Sequence, residues 1–295
     1  MSQTMFQQIR GNKIKSILIL FLFIIIIGFL GGFIGFIYNN VYIGLILAIF
    51  AAILYSLIVY FSGKSMILTM TGARQVTKQE YPNLYHAVEG LSIAAGIPTP
   101  KAYVIDDSAL NAFATGRNHN DSIVVVTTGL LNKLNRQELE GVIAHELSHI
   151  KNYDIRVMML TAVLVGITVL LSDFLLRSVI YGRRDSKGSH PALIIVGLVL
   201  ALLTPIIGEL IKLAVSRKRE YLADASGASL TRYPEGLASA LEKISKDPDP
   251  LVDKANKATA HLFISTPFRK RTGFVTNLFS THPSIEVRIK KLREM

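Results

Sequence analysis

The chain has 295 residues, half of them apolar, with a mean hydropathy of +0.40, a formal net charge of +11 and no cysteine. Apolar content gathered in long blocks excludes an ordinary soluble globular protein and describes an integral membrane protein. Without cysteine there are no disulfide staples or thiolate ligands, so any metal must be held by His, Asp or Glu. The basic excess sits beside the apolar blocks, at Arg10, Lys13, Lys15, Lys64, Arg74, Lys212, Arg217, Lys218 and Arg219, which points to an anionic lipid surface and away from nucleic acid.

Four stretches are long and apolar enough to cross the roughly 30 Å hydrocarbon layer as helices: Ile17 to Ile37, Val41 to Phe61, Val157 to Leu176 and Leu193 to Ile211. The first is longer than a signal-peptide core and no small-residue cleavage site precedes the second, so it is expected to stay as an anchor. Its Gly28, Gly31, Gly32 and Gly35 form small-xxx-small pairs that suit close helix packing. Lys and Arg flank this first hairpin while its "YNN" connector is uncharged, which places both termini in the cytoplasm. Arg177, Arg183, Arg184 and Lys187, between the third and fourth spans, run against that rule. Asp173 and Glu209 near the ends of the last two spans predict shorter or tilted helices there.

The predicted organisation is a membrane hairpin over 1–63, a water-facing segment over 64–156, a second hairpin over 157–211 and a second water-facing segment over 212–295, the two water-facing segments forming one small domain. In the first of them "YPNLYHAVEGLSIAAGI" has helical spacing, and "KAYVID", "NAFATG" and "SIVVVTTG" read as short strands between turn-rich pieces. The expected fold class is α+β: a mainly helical membrane protein with about four transmembrane helices and a small antiparallel sheet. "NRQELEGVIAHELSHIKNYD" opens with Asn135 as N-cap and Glu138 three residues on, a capping-box pattern that starts a helix near Arg136 and carries it through both histidines.

On that helix His145 and His149 lie on one face about a turn apart, so both imidazoles can converge on a single ion. Glu146 is rotated away from them and is placed to take a proton from water attacking a carbonyl and return it to the leaving amine. The alternative is a pair of polar histidines capping the end of a membrane helix. A catalytic zinc takes three protein ligands, and "SRKREYLADASGA" supplies a candidate third. Its Glu220 and Asp224 are like charges four residues apart, an arrangement that asks for a cation or a donor. Zinc on Glu220 and a histidine N–H on Asp224 would satisfy both. The alternative is simple neutralisation by Arg217 and Arg219 on a solvated face.

"HELSH", "EYLAD", the strand "NAFATG" and the late "THPS" with Arg288 together resemble the HtpX family of bacterial membrane zinc endopeptidases, relatives of the CAAX prenyl proteases, over nearly the whole chain. The resemblance implies a zincin-like catalytic domain holding one Zn2+ per chain on His145, His149 and Glu220, with Glu146 as general base and Asp224 orienting one imidazole. It adds that Asn111, Ala112, Phe113 and Ala114 form an exposed edge pairing with an extended peptide substrate, and that His282 stabilises the oxyanion. The implied function is cleavage of damaged or misfolded membrane proteins at the cytoplasmic face of the bacterial plasma membrane, under stress. Its partners are then the lipid bilayer and protein substrates, with no nucleic acid. Asn152 and Asp154 follow the motif on the same helix, as supports for His149 or as a solvated helix end. His86, His119, His190 and His261 read as surface or packing residues.

Three rivals are weighed against this. A zinc transporter needs polar ligands in mid-span, and the span cores carry almost none. A structural-zinc scaffold needs a closed four-ligand site. An intramembrane protease would bury its motif in a span, whereas here Arg136, Glu138, Glu140, Lys151 and Asp154 flank it.

Overall fold

A computed structural model describes residues 5–166, 217–247, 259–265 and 283–295. The expected span Leu193 to Ile211, the third span beyond residue 166, His190 and His282 lie outside the described residues. Helices α1 (Met5–Ile37) and α2 (Val41–Thr71) form a hairpin. Within it Ile9–Phe36 and Val41–Thr71 are long and apolar enough to cross a membrane. α2 runs on past the expected end at Phe61 until Gly72 ends it in left-handed backbone, with φ 65°. Phe21, Phe29, Phe36, Phe50 and Phe61 point outward, 61–68% exposed, a surface suited to acyl chains. At Gly31, Gly35 and Gly44, where the two backbones come closest, there is no room for a side chain. A Cβ on Gly44 would land on the Gly31 carbonyl and 2.8 Å from the Gly35 Cα.

Strands β1 (Arg74–Gln75), β2 (Lys101–Ile105), β3 (Ala112–Asn118) and β4 (Asp121–Thr127) form a sheet in the order β1-β2-β4-β3. The outer pairs are antiparallel but β2 and β4 run parallel, so the sheet is mixed and not antiparallel as expected. The reason is topological: β4 turns back from β3 and inserts between β3 and β2, which gives it the direction of β2. Its unbroken apolar run serves two cores. Val124 and Val126 pack with Leu139, Val142 and Ile143, while Ile123 and Val125 pack with Phe113, Val157 and Met158 on the side of the hairpin.

Around the sheet lie α3 (Pro82–Ala95), α4 (Thr128–Lys133), α5 (Arg136–Lys151) and α6 (Asp154–Leu160), the last continuing into a π turn over Thr161–Val165. They are joined by α7 (Arg217–Thr231), α8 (Pro234–Ser245), a 3-10 turn at Ala260–Leu262 and α9 (Ile285–Arg293). α5 is the central helix, packed by α3, α7, α8 and β3. Its capping box forms as the sequence predicts, with Asn135 Oδ1 accepting from the Glu138 N–H at 3.0 Å and Glu138 Oε2 from the Asn135 N–H at 2.8 Å. One detail differs from expectation. α5 stops at Lys151, Tyr153 takes left-handed backbone (φ 60°), and Asp154 opens α6 instead of continuing α5.

Gly44→Val is expected to force α1 and α2 apart and destabilise the protein by about 1–3 kcal/mol, seen as a lower thermal unfolding midpoint in detergent. Leu47→Ala on the outward face, 62% exposed, is expected to leave that midpoint nearly unchanged.

Candidate active site

His145 and His149 leave one face of α5 and are buried, 1% and 4% exposed. Their Nε2 atoms face each other at 3.2 Å. Each Nδ1 is engaged elsewhere, by Asp224 Oδ1 at 2.9 Å for His145 and by Asp154 Oδ2 at 3.0 Å for His149. A carboxylate at Nδ1 holds the ring proton there and leaves a lone pair on Nε2. Two lone pairs at that separation repel unless a cation, a proton or a metal ion, lies between them. Glu220 brings its Oε1 to 3.5 Å from His149 Nε2 and its Oε2 to 3.9 Å from His145 Nε2. Donors at ordinary tetrahedral zinc bond lengths stand about 3.3 Å apart, so the set fits a metal ion, slightly wide on the Glu220 side. One ligand atom from each residue lies within 4.8 Å of the others.

The surrounding charges favour a cation there. Burial pushes His145 below its usual pKa, with the nearby Arg288 charge assisting and Asp224 opposing. Burial also pulls on His149, but the Asp154 hydrogen bond and the Glu220 charge outweigh it and raise the pKa to about 9. Burial pushes the Glu146 carboxyl up to about 7, partly offset by His149 and by the Ala114 backbone N–H that hydrogen-bonds it. Asp224 is pushed up by burial, yet Arg288 and the His145 hydrogen bond hold it below the usual carboxylate range.

α7 reaches the site because its contact side is small. A Cβ on Gly227 would meet the His145 backbone nitrogen at 3.0 Å, and Ala223 and Ala228 are buried beside it. Arg288 on α9 is 0% exposed and grips Asp224 with two prongs, Nε to Oδ2 at 2.9 Å and Nη2 to Oδ1 at 2.7 Å. Its Nη1 stands 3.6 Å from Glu220 Oε2 and donates to the Ile264 carbonyl at 3.2 Å. The cation that meets the Glu220 and Asp224 pair is therefore Arg288. Arg219 instead reaches Asp154 at 3.1 Å, and Arg217 is exposed. The sequence carried a signal for this: Arg288 falls among Ile285, Ile289 and Leu292 on the apolar face of α9, where a charge must find a buried partner.

β3 is the outer strand of the sheet, yet Asn111 to Ala114 are all buried. The Asn111 side chain donates to the Ser265 carbonyl at 3.1 Å, and the Ile264 N–H donates to the Ala112 carbonyl at 2.9 Å. Phe113 packs edge-on against Phe263, ring centroids 5.0 Å apart. The expected bare edge is thus covered at its start by the chain's own residues 263–265, while Ala114 faces Glu146. Among the other histidines, His86 is exposed, His119 stacks on Tyr153 at 4.3 Å between centroids, and His261 is buried with Nε2 3.2 Å from the Met158 carbonyl.

Comparison with known proteins fits this geometry. The model of Peptidase family M48 matches residues 78–295. A protease HtpX homolog from Dictyoglomus turgidum is 49% identical over 292 residues, covering 99% of this chain and 95% of its own. Another, from Tropheryma whipplei, is 45% identical over 295 residues, covering 99% and 98%. The crystal structure of S. mikatae Ste24p is similar to the chain with 21% identity and a TM-score of 0.48, over 97% of this chain and 66% of that one. With a matching family model over most of its length and relatives this close end to end, the chain belongs to peptidase family M48, among the HtpX-type metalloproteases.

Proposed function

We propose that the protein is a membrane-anchored zinc endopeptidase that cleaves damaged or misfolded membrane proteins at the cytoplasmic surface. The observation that carries this reading is the pair of Nε2 atoms 3.2 Å apart with Glu220 beside them and Glu146 next in the chain. In it, residues 1–63 and 157–211 are membrane hairpins, and 64–156 with 212–295 form the catalytic domain. Zinc is the ion that a His, His, Glu set with one open position suits best. Once bound it would act as a Lewis acid toward the substrate carbonyl and lower the pKa of water to near 7.

The chain's own residues supply the rest. His145, His149 and Glu220 hold the ion. Asp224, locked by Arg288, keeps the His145 proton on Nδ1, and Asp154 does the same for His149. Glu146 takes the proton of the attacking water as a C–O bond forms, then gives it to the amide nitrogen as the C–N bond breaks. A carboxyl raised by burial to about 7 is suited to both halves of that transfer. β3 packs against α5 and so lies next to the base, which supports the strand Asn111 to Ala114 as the one that aligns a peptide, at its Ala114 end because residues 264 and 265 already engage Ala112 and Asn111. His282 is proposed to steady the oxyanion on the strength of the resemblance alone. HELSH lies only a few residues before α6, which packs on the α1–α2 hairpin, and this supports cleavage close to the bilayer.

Detergent-purified protein is expected to contain about one zinc per chain and to cleave an unfolded protein in a chelator-sensitive manner. Glu146→Gln is expected to keep the metal while cleavage falls at least about 100-fold, and Glu220→Ala to lose metal at the same chelator concentration. Tight zinc with unchanged cleavage in Glu146→Gln would sink the protease assignment of this site.

Arg288→Met strips the buried Asp224 and Glu220 of their counter-charge. It is expected to destabilise the protein by about 3–5 kcal/mol, read from thermal unfolding. Arg288→Lys is expected to recover little of this, because a lysine cannot reproduce the two-pronged grip on Asp224.

A further inference from the structure

Asn12 sits in α1, three residues into the segment Ile9–Phe36 that is apolar enough to cross a membrane. It is 3% exposed. A buried primary amide is unfavourable in such a place unless its hydrogen bonds are met, and here they are met by the site's supports. Nδ2 donates to Asp154 Oδ1 at 2.7 Å and to the Asn152 carbonyl at 2.8 Å, while Oδ1 accepts from Arg219 Nη1 at 3.3 Å. Turning the amide over would set its oxygen against a carboxylate and a carbonyl, so the orientation is fixed. The other Asp154 oxygen meets His149 Nδ1 at 3.0 Å. Arg219, which also reaches Asp154 Oδ1 at 3.1 Å, is the residue immediately before Glu220.

Asp154 Oδ1 is thus held by two donors, the Asn12 amide at 2.7 Å and Arg219 at 3.1 Å. With the Asn12 amide on Oδ1, the carboxylate plane is held so that Oδ2 stays on the imidazole. The same amide, through Arg219, ties down the first turn of α7 beside Glu220. We infer that Asn12 is a positioning residue for the metal centre, joining the first membrane helix to the His149 support, so that the anchor forms part of the site and is more than a tether. This inference rests on His145, His149 and Glu220 being the metal ligands.

The test uses the full chain in detergent: wild type, Asn12→Leu, the smaller change Asn12→Ala, Asp154→Asn, the double variant Asn12→Leu/Asp154→Asn, Glu220→Ala, and Ile17→Ala on the outward face of the same helix, 65% exposed. Zinc affinity is measured by chelator competition and ligand geometry by the visible spectrum of the Co2+-substituted protein. Both Asn12 variants are expected to bind zinc about 10–100-fold more weakly with an altered cobalt spectrum, Ile17→Ala to match wild type, and the double variant to be no weaker than Asp154→Asn alone. Zinc affinity in either Asn12 variant within about threefold of wild type, well short of the usual effect of a lost ligand support, overturns the inference. So does a loss in the double variant that sums the two single losses, because Asn12 would then not act through Asp154. If Glu220→Ala binds zinc as wild type does, the ligand assignment itself fails and takes the inference with it. A wild type that needs Glu220 for zinc, beside Asn12 variants that bind normally, refutes the inference alone.

Discussion

The clamping of two imidazoles by two carboxylates is the constraint around which the site is built. Asp224 and Asp154 each engage one Nδ1, and that turns both Nε2 atoms toward the same point. Each carboxylate then needs a cation of its own, because an ionised acid in a buried site is costly without one. Arg288 answers for Asp224 and Arg219 for Asp154. From this single requirement follows the placement of helices that are distant in sequence: α9 must bring a fully buried arginine to α7, and α7 must approach α5 closely enough that a Cβ at residue 227 would crowd the His145 backbone. α6 must turn back after Tyr153 so that Asp154 faces His149.

The sheet sets where this assembly sits. Residues of β4 alternate between a core shared with α3 and α5 and a core shared with α6 and the α1–α2 hairpin. A strand used on both faces cannot shift register without exposing apolar side chains on one side or the other. The sheet therefore fixes how the core on the side of the hairpin sits relative to the HELSH helix.

What was legible in the sequence was what local chemistry encodes. Asn135 and Glu138 announce a helix start because the cap is made by residues three apart, and the three longer strands appear because turn residues bound them. Sheet order was not legible, since alternation tells which face a side chain takes and says nothing about which strand is its neighbour; β4 inserting between β2 and β3 leaves no local trace. The break after Lys151 was missed for a related reason. Left-handed backbone usually shows as glycine or asparagine, whereas here it falls on Tyr153, with His119 stacked on its ring and Lys13 and Arg156 lying over it. Of the site, the residues within one helical turn of one another could be paired by spacing. Asp154 to Asn12 and Asp224 to Arg288 are contacts across 142 and 64 residues, and only the fold brings those together.

The pairing of Ile264 and Ser265 with Ala112 and Asn111 has a bearing on life in a crowded bilayer. An outermost strand with a long row of unmet backbone groups invites the same strand of a neighbouring copy, and membrane proteins confined to two dimensions meet their neighbours often. Here that row is shortened from within: the chain's own residues 264 and 265 take the first positions, and the Glu146 carboxyl takes the Ala114 N–H. Residues 264 and 265 thereby take the start of the strand beside the site and leave its later positions to any chain that pairs there.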